Sequence, residues 1–157
     1  MNEREKNQGK LVNSEDIEEA KEKLRKEKTN FCQSEKIHRS LVEIMDSSDY
    51  SLISSLPVWV VPEELIGDKI CIRPFGLIFV SQKVPLEFLE FVVYHEEVEM
   101  EYEEKLGRRR AHNLAIEKEL EYLVKKNMLK PLLEWLKVEF PSIYKDRLKK
   151  AKKLAIL

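Results

Sequence analysis

The sequence predicts an α+β fold in which a small sheet of two or three strands packs on a mainly helical domain. Residues 57–81 contain short β-branched runs bounded by proline and glycine, which is typical of strands joined by turns. From Pro85 to the end of the chain, apolar residues recur at helical spacing. A chain of 157 residues, of which 43% are apolar, is large enough to bury one core.

The N-terminal part of the chain is strongly charged and has few apolar side chains. Within residues 1–30, the stretch NSEDIEEAKEKLRKEK places acidic residues first and basic residues last, as a helix dipole favours. Asn13 or Ser14 would cap such a helix. Because the stretch has little apolar surface to bury, we expect residues 1–30 to be disordered or a frayed helix. Residues 31–157 are expected to form a single α+β domain that ends in a basic helix.

A first packed helix is predicted over residues 34–46. Ser34 is a suitable N-cap, and the apolar residues that follow it recur at helical spacing. They are Ile37, Leu41, Ile44 and Met45. His38 lies beside this apolar stripe, and we expect it to be a partly buried packing residue rather than a ligand.

The sheet is predicted from two segments. LPVWVVPE, residues 56–63, has the composition of one strand with prolines near its ends. KICIRPFGLIFVS, residues 69–81, predicts two further strands about a turn at Pro74 to Gly76.

Four helices are predicted after the sheet. The first begins near Pro85 and ends at Leu106, because Gly107 is typical of the position after a helix C-terminus. The second runs from about Arg109 to Asn127. The third is PLLEWLKVEF, and the last is the basic segment PSIYKDRLKKAKKLAIL.

Charge and cysteine content restrict the class of protein. The 28 basic and 29 acidic residues nearly cancel, so neither nucleic acid nor a membrane is expected as a partner. No apolar run approaches the roughly 18 residues of a spanning helix, and the N-terminus lacks the pattern of a signal peptide. We therefore expect a cytoplasmic protein, in which Cys32 and Cys71 are reduced thiols.

One face of the helix that begins near Pro85 combines apolar residues with two polar exceptions. Residues three or four positions apart share a face, and His95 and Glu99 both fall in the apolar row. That row contains Phe88, Val92, His95, Glu99, Tyr102 and Leu106. The opposite row, which includes Glu97, Glu101 and Glu104, is expected to be solvated. Burial of His95 and Glu99 is costly unless the two are paired or coordinated. They could form hydrogen bonds with each other or with neighbouring residues, or they could share a cation, and both alternatives remain open.

The next helix offers two candidates for a third ligand. His112 and Glu119 both lie on its inward side. In an antiparallel hairpin about the glycine turn, Glu119 would lie level with the space between His95 and Glu99, and His112 would lie nearer Tyr102. Splayed helices or a longer loop would bring His112 closer instead. We prefer His112 because imidazole suits transition metals, and keep Glu119 as a rival or fourth ligand.

The segment His95-Glu96-Glu97-Val98-Glu99 resembles the HExxH helix of zincin-type metallopeptidases, with Glu99 where the second histidine would stand. A glycine-led strand, residues 76–80, precedes this helix, as an edge strand does in small zincin-like domains. The resemblance covers about residues 70–122. It implies that His95 and Glu99 are metal ligands and that a third ligand comes from the following helix. It also implies that Glu96 is the general base acting on a metal-bound water.

The resemblance further implies a cofactor and a function. The cofactor is a divalent metal, with zinc as the first expectation and iron, manganese or nickel as alternatives for a carboxylate-containing site. The chain is then a metal-dependent hydrolase of peptide or amide bonds with a minimal zincin-like fold, or an inactive descendant of one. Acidic residues 87–104 favour a cationic peptide or protein substrate. The alternative is a non-enzymatic helical interaction protein, whose acidic residues 87–104 and basic residues 145–153 dock on partners or on each other in a homo-oligomer.

Overall fold

The computed structural model describes residues 14–27 and 34–157. Contacts group the chain into two compact units, one that extends to Val93 and one that covers Tyr94–Leu157. The helix Leu89–Leu106 has residues in both units. The assignment of residues 31–157 to a single domain stays a prediction. The mainly helical architecture with one small sheet confirms the predicted α+β class.

The first described helix, α1, is Ser14–Lys26, with acidic residues in its first turn and basic residues in its last. Ile17, Ala20 and Leu24 are buried in the core of the first unit. The expectation that this stretch has too little apolar surface to pack does not hold for α1, because three apolar side chains on one face are enough. Asn13, the other proposed cap, and the rest of residues 1–13 and 28–33 lie outside the described residues.

The second helix, α2, is Glu35–Ser47 and begins as predicted. The Oγ of Ser34 accepts a hydrogen bond from the Ile37 N–H at 3.2 Å, which satisfies one of the unpaired donors of the first turn. Leu41 and Met45 are buried. The Nε2 of His38 contacts the carbonyl oxygen of Leu24, so this histidine is a half-buried packing residue, as predicted.

The sheet has four strands in the order β1-β2-β4-β3, where two or three were predicted. The strands are β1 Ser51–Ile53, β2 Leu56–Val61, β3 Cys71–Ile72 and β4 Ile78–Ser81. The additional strand is β1, which pairs antiparallel with β2. Its three residues are mostly exposed, so no alternation of apolar and polar residues marks it in the sequence.

Pairing in the rest of the sheet is mixed. Strands β2 and β4 are parallel, with Val58 opposite Ile78. Strands β3 and β4 are antiparallel about the 3₁₀ turn Pro74–Gly76, which confirms the predicted turn. Strand β4 is an interior strand, and this differs from the edge strand that the zincin resemblance implied for residues 76–80.

The second unit is built from helices. After a 3₁₀ turn at Leu86–Phe88, α3 is Leu89–Leu106, and α4 is Arg108–Lys125. Helix α5 is Leu129–Glu139, and α6 is Pro141–Lys153. All four lie close to the predicted ranges, although α5 begins two residues before Pro131. No described helix is both long enough and apolar enough to cross a bilayer.

Candidate metal centre

Helix α3 places His95 and Glu99 one turn apart on the same face, as the sequence predicted. Their side chains are only 8% and 13% exposed. On the opposite row Glu101 and Glu104 are exposed, as predicted, whereas Glu97, which was also predicted to be solvated, is half-buried. The Nε2 of His95 lies 2.9 Å from the Oε1 of Glu99. Because an ionised carboxylate only accepts hydrogen bonds, the imidazole donates.

Helix α4 runs antiparallel to α3, since residues that follow one another along α3 contact residues in reverse order along α4. The rings of Tyr94 and Tyr122 are 4.9 Å apart, and Glu99 contacts His112. Only Gly107, with φ +85°, separates the two helices. The structure therefore places His112 beside Glu99.

Three of the predicted ligands come together. The Nδ1 of His112 lies 2.5 Å from the same Oε1 of Glu99 that contacts His95. One ligand atom from each of His95, Glu99 and His112 lies within 4.8 Å of the other two. The side chain of His112 is 51% exposed, so the cluster has one open side.

Glu119, the rival third ligand, lies on the other side of the His95 ring. Its Oε1 is 3.3 Å from the Nδ1 of His95, whereas the contact with Glu99 is made by Nε2. Its Oε2 accepts a hydrogen bond from the Nε of Arg147 at 3.0 Å. Glu119 and Arg147 are buried, with side chains that are 8% and 11% exposed. Glu119 is therefore outside the group formed by His95, Glu99 and His112.

Arg147, which comes from the basic helix α6, was not among the predicted site residues. A signal for its burial was present: Ile143, Arg147 and Ala151 are spaced four residues apart, so they share one face of a helix. Ala151 is fully buried and Ile143 half-buried. An arginine between them on that face is carried inward and needs a buried partner.

The surroundings of His95 favour its charged form. Burial acts to lower the pKa of the imidazole, but the carboxylates of Glu119 and Glu99, with a smaller contribution from Glu96, raise it to about 9. The pKa values of the Glu99 and Glu119 carboxyl groups are lowered. Burial acts to raise the pKa of Glu99, but hydrogen bonds from His112 and His95 hold it well below its usual range.

The same balance applies to Glu119. Burial acts to raise the pKa of its carboxyl, but the Arg147 guanidinium and His95 lower it. In the metal-free protein, charges of alternating sign therefore follow one another in the order Arg147, Glu119, His95 and Glu99. Each buried charge has an opposite neighbour, which is the condition for burying charges at tolerable cost.

Glu96, the predicted general base, is half-buried on α3 next to His95 in sequence. Its charge contributes to the raised pKa of His95, so the two side chains interact electrostatically.

The donor set fits a divalent transition metal after small movements. Bonds of about 2.0–2.1 Å in tetrahedral geometry hold neighbouring ligand atoms about 3.3 Å apart. The two contacts made by the Oε1 of Glu99, at 2.9 and 2.5 Å, are shorter than this, because a proton now lies in each. An ion requires these contacts to open by less than about 1 Å. The side chain of His112 is 51% exposed, so it is able to move.

Comparison with known proteins assigns no family and no function to the chain. No protein-family model matches the chain, and searches of curated proteins and of solved structures returned no significant match. The zincin resemblance therefore stays a prediction that depends on the residues of α3 and α4 themselves.

Proposed function

We propose that this chain binds one divalent metal ion through His95, Glu99 and His112. The observation that carries the proposal is the convergence of two imidazoles and one carboxylate, from two helices, within 4.8 Å of one another. Two histidines and one carboxylate are a common zinc set in hydrolases, and they also suit iron or manganese. Zinc is the first expectation for the bound ion.

We further propose that the metal serves hydrolysis of a peptide or amide bond. A bound divalent ion lowers the pKa of its water toward about 7. Glu96 would accept the proton from that water and later deliver it to the leaving group. Support comes from its place beside His95 and from the exposed side of the cluster at His112, which gives a substrate access. The exposed carboxylates of α3, among them Glu90, Glu101 and Glu104, favour a cationic peptide.

Metal content tests the first proposal. We expect protein purified without nickel affinity or chelator to contain about one ion per chain, and His95→Ala to contain none. Glu101→Gln is the matched control, because it removes an acidic residue from the exposed face of the same helix. A wild-type protein that stays metal-free, and whose thermal midpoint does not respond to zinc, iron or manganese, refutes the metal site.

Glu96→Gln tests the second proposal. We expect this variant to retain the metal and to lose hydrolysis of cationic model peptides, because the amide cannot accept the proton. The control is Glu134→Gln, which removes an exposed carboxylate from α5 rather than α3, and it should retain both. Turnover that persists in Glu96→Gln removes Glu96 from the mechanism without affecting the metal site.

A second candidate function is favoured by one observation: Glu99 already bonds both imidazoles directly. A cluster satisfied in this way can serve structure alone, in a helical interaction protein that uses acidic residues 87–104 and basic residues 145–153 as docking faces. We expect such a protein to self-associate at low salt and to dissociate at high salt, which sedimentation velocity would measure. A monomer at every salt concentration argues against homo-oligomer formation through these faces.

A further inference from the structure

Both ring nitrogens of His95 face a carboxylate, and the two carboxylates differ in their own partners. Nε2 faces Glu99, whose Oε1 is shared with His112 on the open side of the cluster. Nδ1 faces Glu119, whose other oxygen is held by Arg147. Imidazole nitrogens point away from each other, so one ion cannot bind Nε2 together with Glu99 and also bind Glu119 across the ring.

A neutral histidine that binds a metal through one nitrogen carries its proton on the other. That N–H needs an acceptor when the ring is buried, and the acceptor fixes both the tautomer and the orientation of the ring. We propose that Glu119 is a positioning residue rather than a ligand. Held by Arg147, it accepts a hydrogen bond from the Nδ1–H of His95 and so directs Nε2 toward Glu99 and the metal. This inference rests on the metal site proposed above.

Two observations support this assignment over the ligand role. First, Arg147 already occupies one oxygen of Glu119, and both side chains are buried, so the carboxylate has little freedom to turn. Second, Nδ1 is the buried atom of the ring that has no aligned hydrogen-bond acceptor among the described residues. Its 3.3 Å separation from Glu119 is near that of a hydrogen bond, and only the direction of the N–H is unsuitable.

Metal coordination at Nε2 would allow the Nδ1–H of His95 to align with the carboxylate of Glu119. At present the hydrogen bond from Nε2 to Glu99 sets the angle of the ring. Once an ion replaces the proton on Nε2, that hydrogen bond no longer exists and the ring can tilt toward Glu119. Hydrogen bonds of this type are often long in the unliganded protein and tighten in the complex.

The test compares zinc affinities of four proteins. We expect Glu119→Gln to bind one zinc about 10- to 100-fold more weakly than wild type, as is usual when the outer partner of a ligating histidine is removed. Because this variant leaves Arg147 buried without its carboxylate, a double variant, Glu119→Gln with Arg147→Met, preserves folding by removing both charges together. It should show the same weakening. Lys150→Met, which breaks the neighbouring α6–α4 pair between Lys150 and Glu117, is the control and should bind like wild type.

Nitrogen NMR of the His95 ring distinguishes positioning from ligation. In zinc-loaded wild type we expect Nε2 to be metal-bound and Nδ1 to be protonated, and the Nδ1 proton signal to shift in the double variant. Coordination through Nδ1 would make Glu119 a ligand and overturn the inference, as would equal zinc affinity in wild type and both Glu119 variants. A wild-type protein that takes up no zinc overturns the metal site itself, and the positioning role falls with it.

Discussion

The second unit contains a cluster of charged and polar side chains with a closed, buried end and an open, partly exposed end. The two ends stabilise their charges in different ways. The cluster consists of Arg147, Glu119, His95, Glu99 and His112. At the closed end, Glu119 and Arg147 are buried and bond each other. At the open end, Glu99 bonds the half-exposed His112. His95 lies between them and contacts both carboxylates.

The difference indicates a division of roles. Groups at the closed end are held by neighbours of opposite charge and cannot exchange with solvent, so they determine where His95 points. Groups at the open end can give up their hydrogen bonds to an incoming ion, because water reaches His112. Changes at the closed end should therefore cost more stability than changes at the open end or on the solvated face of α3.

Breaking the closed end should have the largest effect. Arg147→Met leaves Glu119 buried without its partner, and we expect the free energy of unfolding to fall by about 3–5 kcal/mol. Urea unfolding of the metal-free protein measures this. The control, Lys150→Met, should cost less than about 1 kcal/mol, because the Lys150–Glu117 pair is partly exposed. Equal losses in the two variants would contradict the distinction between the ends.

The charge on His95 should make stability depend on pH. Its pKa in the folded protein is about 9, above the ordinary value of 6.5, so its contribution is complete below pH 6.5 and is lost as the pH rises through 9. A shift of this size corresponds to roughly 3 kcal/mol. Urea unfolding at pH 6 and pH 9.5, with chelator present, would measure the loss.

The matched control for the pH experiment is His95→Gln, which carries no titrating group at this position. We expect its stability to change much less than that of wild type between pH 6 and pH 9.5. If wild type and His95→Gln lose the same stability over this range, His95 is not the group responsible.

Removing the imidazole at the open end should lower the stability only slightly and the metal affinity strongly. His112→Ala removes a half-exposed partner of Glu99 that water can replace, so we expect a loss below about 1 kcal/mol. Zinc affinity should fall by more than the 10- to 100-fold expected for an outer residue such as Glu119. Thermal unfolding and zinc titration of the same preparation give both values. A variant that retains wild-type affinity excludes His112 as a ligand.

The acidic surface outside the cluster should be nearly neutral for stability. Glu101→Gln lies on the solvated face of α3, and we expect it to change the free energy of unfolding by no more than about 0.5 kcal/mol. A larger loss would show that the acidic row of α3 is part of the cluster, and the comparison between buried and solvated carboxylates would need revision.

Most of the helical structure could be predicted from sequence because the signals are local. Ser34, Gly107 and Pro141 mark helix boundaries through capping and backbone geometry alone. Strand β1 could not be predicted in this way, because three exposed residues gain their strand geometry only from pairing with β2. The interior position of β4 was also missed, since strand order depends on contacts between distant segments.

The candidate site was predictable where a single helix determines it. Helical spacing alone buries His95 and Glu99 together, and it separates them from Glu101. The partner of each nitrogen of His95 was not predictable, because it depends on how α4 and α6 pack. Arg147 shows this most clearly: its spacing indicates burial, but nothing in the sequence indicates Glu119 as its partner.

The single residue between α3 and α4 fixes the register of the two helices. Each added residue in an α-helix turns the following side chains by about 100°, so one insertion beside Gly107 would carry His112 and Glu119 together around the helix axis. The centre would be dismantled although every one of its side chains remained in the sequence. Chain length at this joint is therefore as much a determinant of the cluster as the residues that form it, and the left-handed backbone at Gly107 disfavours any other amino acid there.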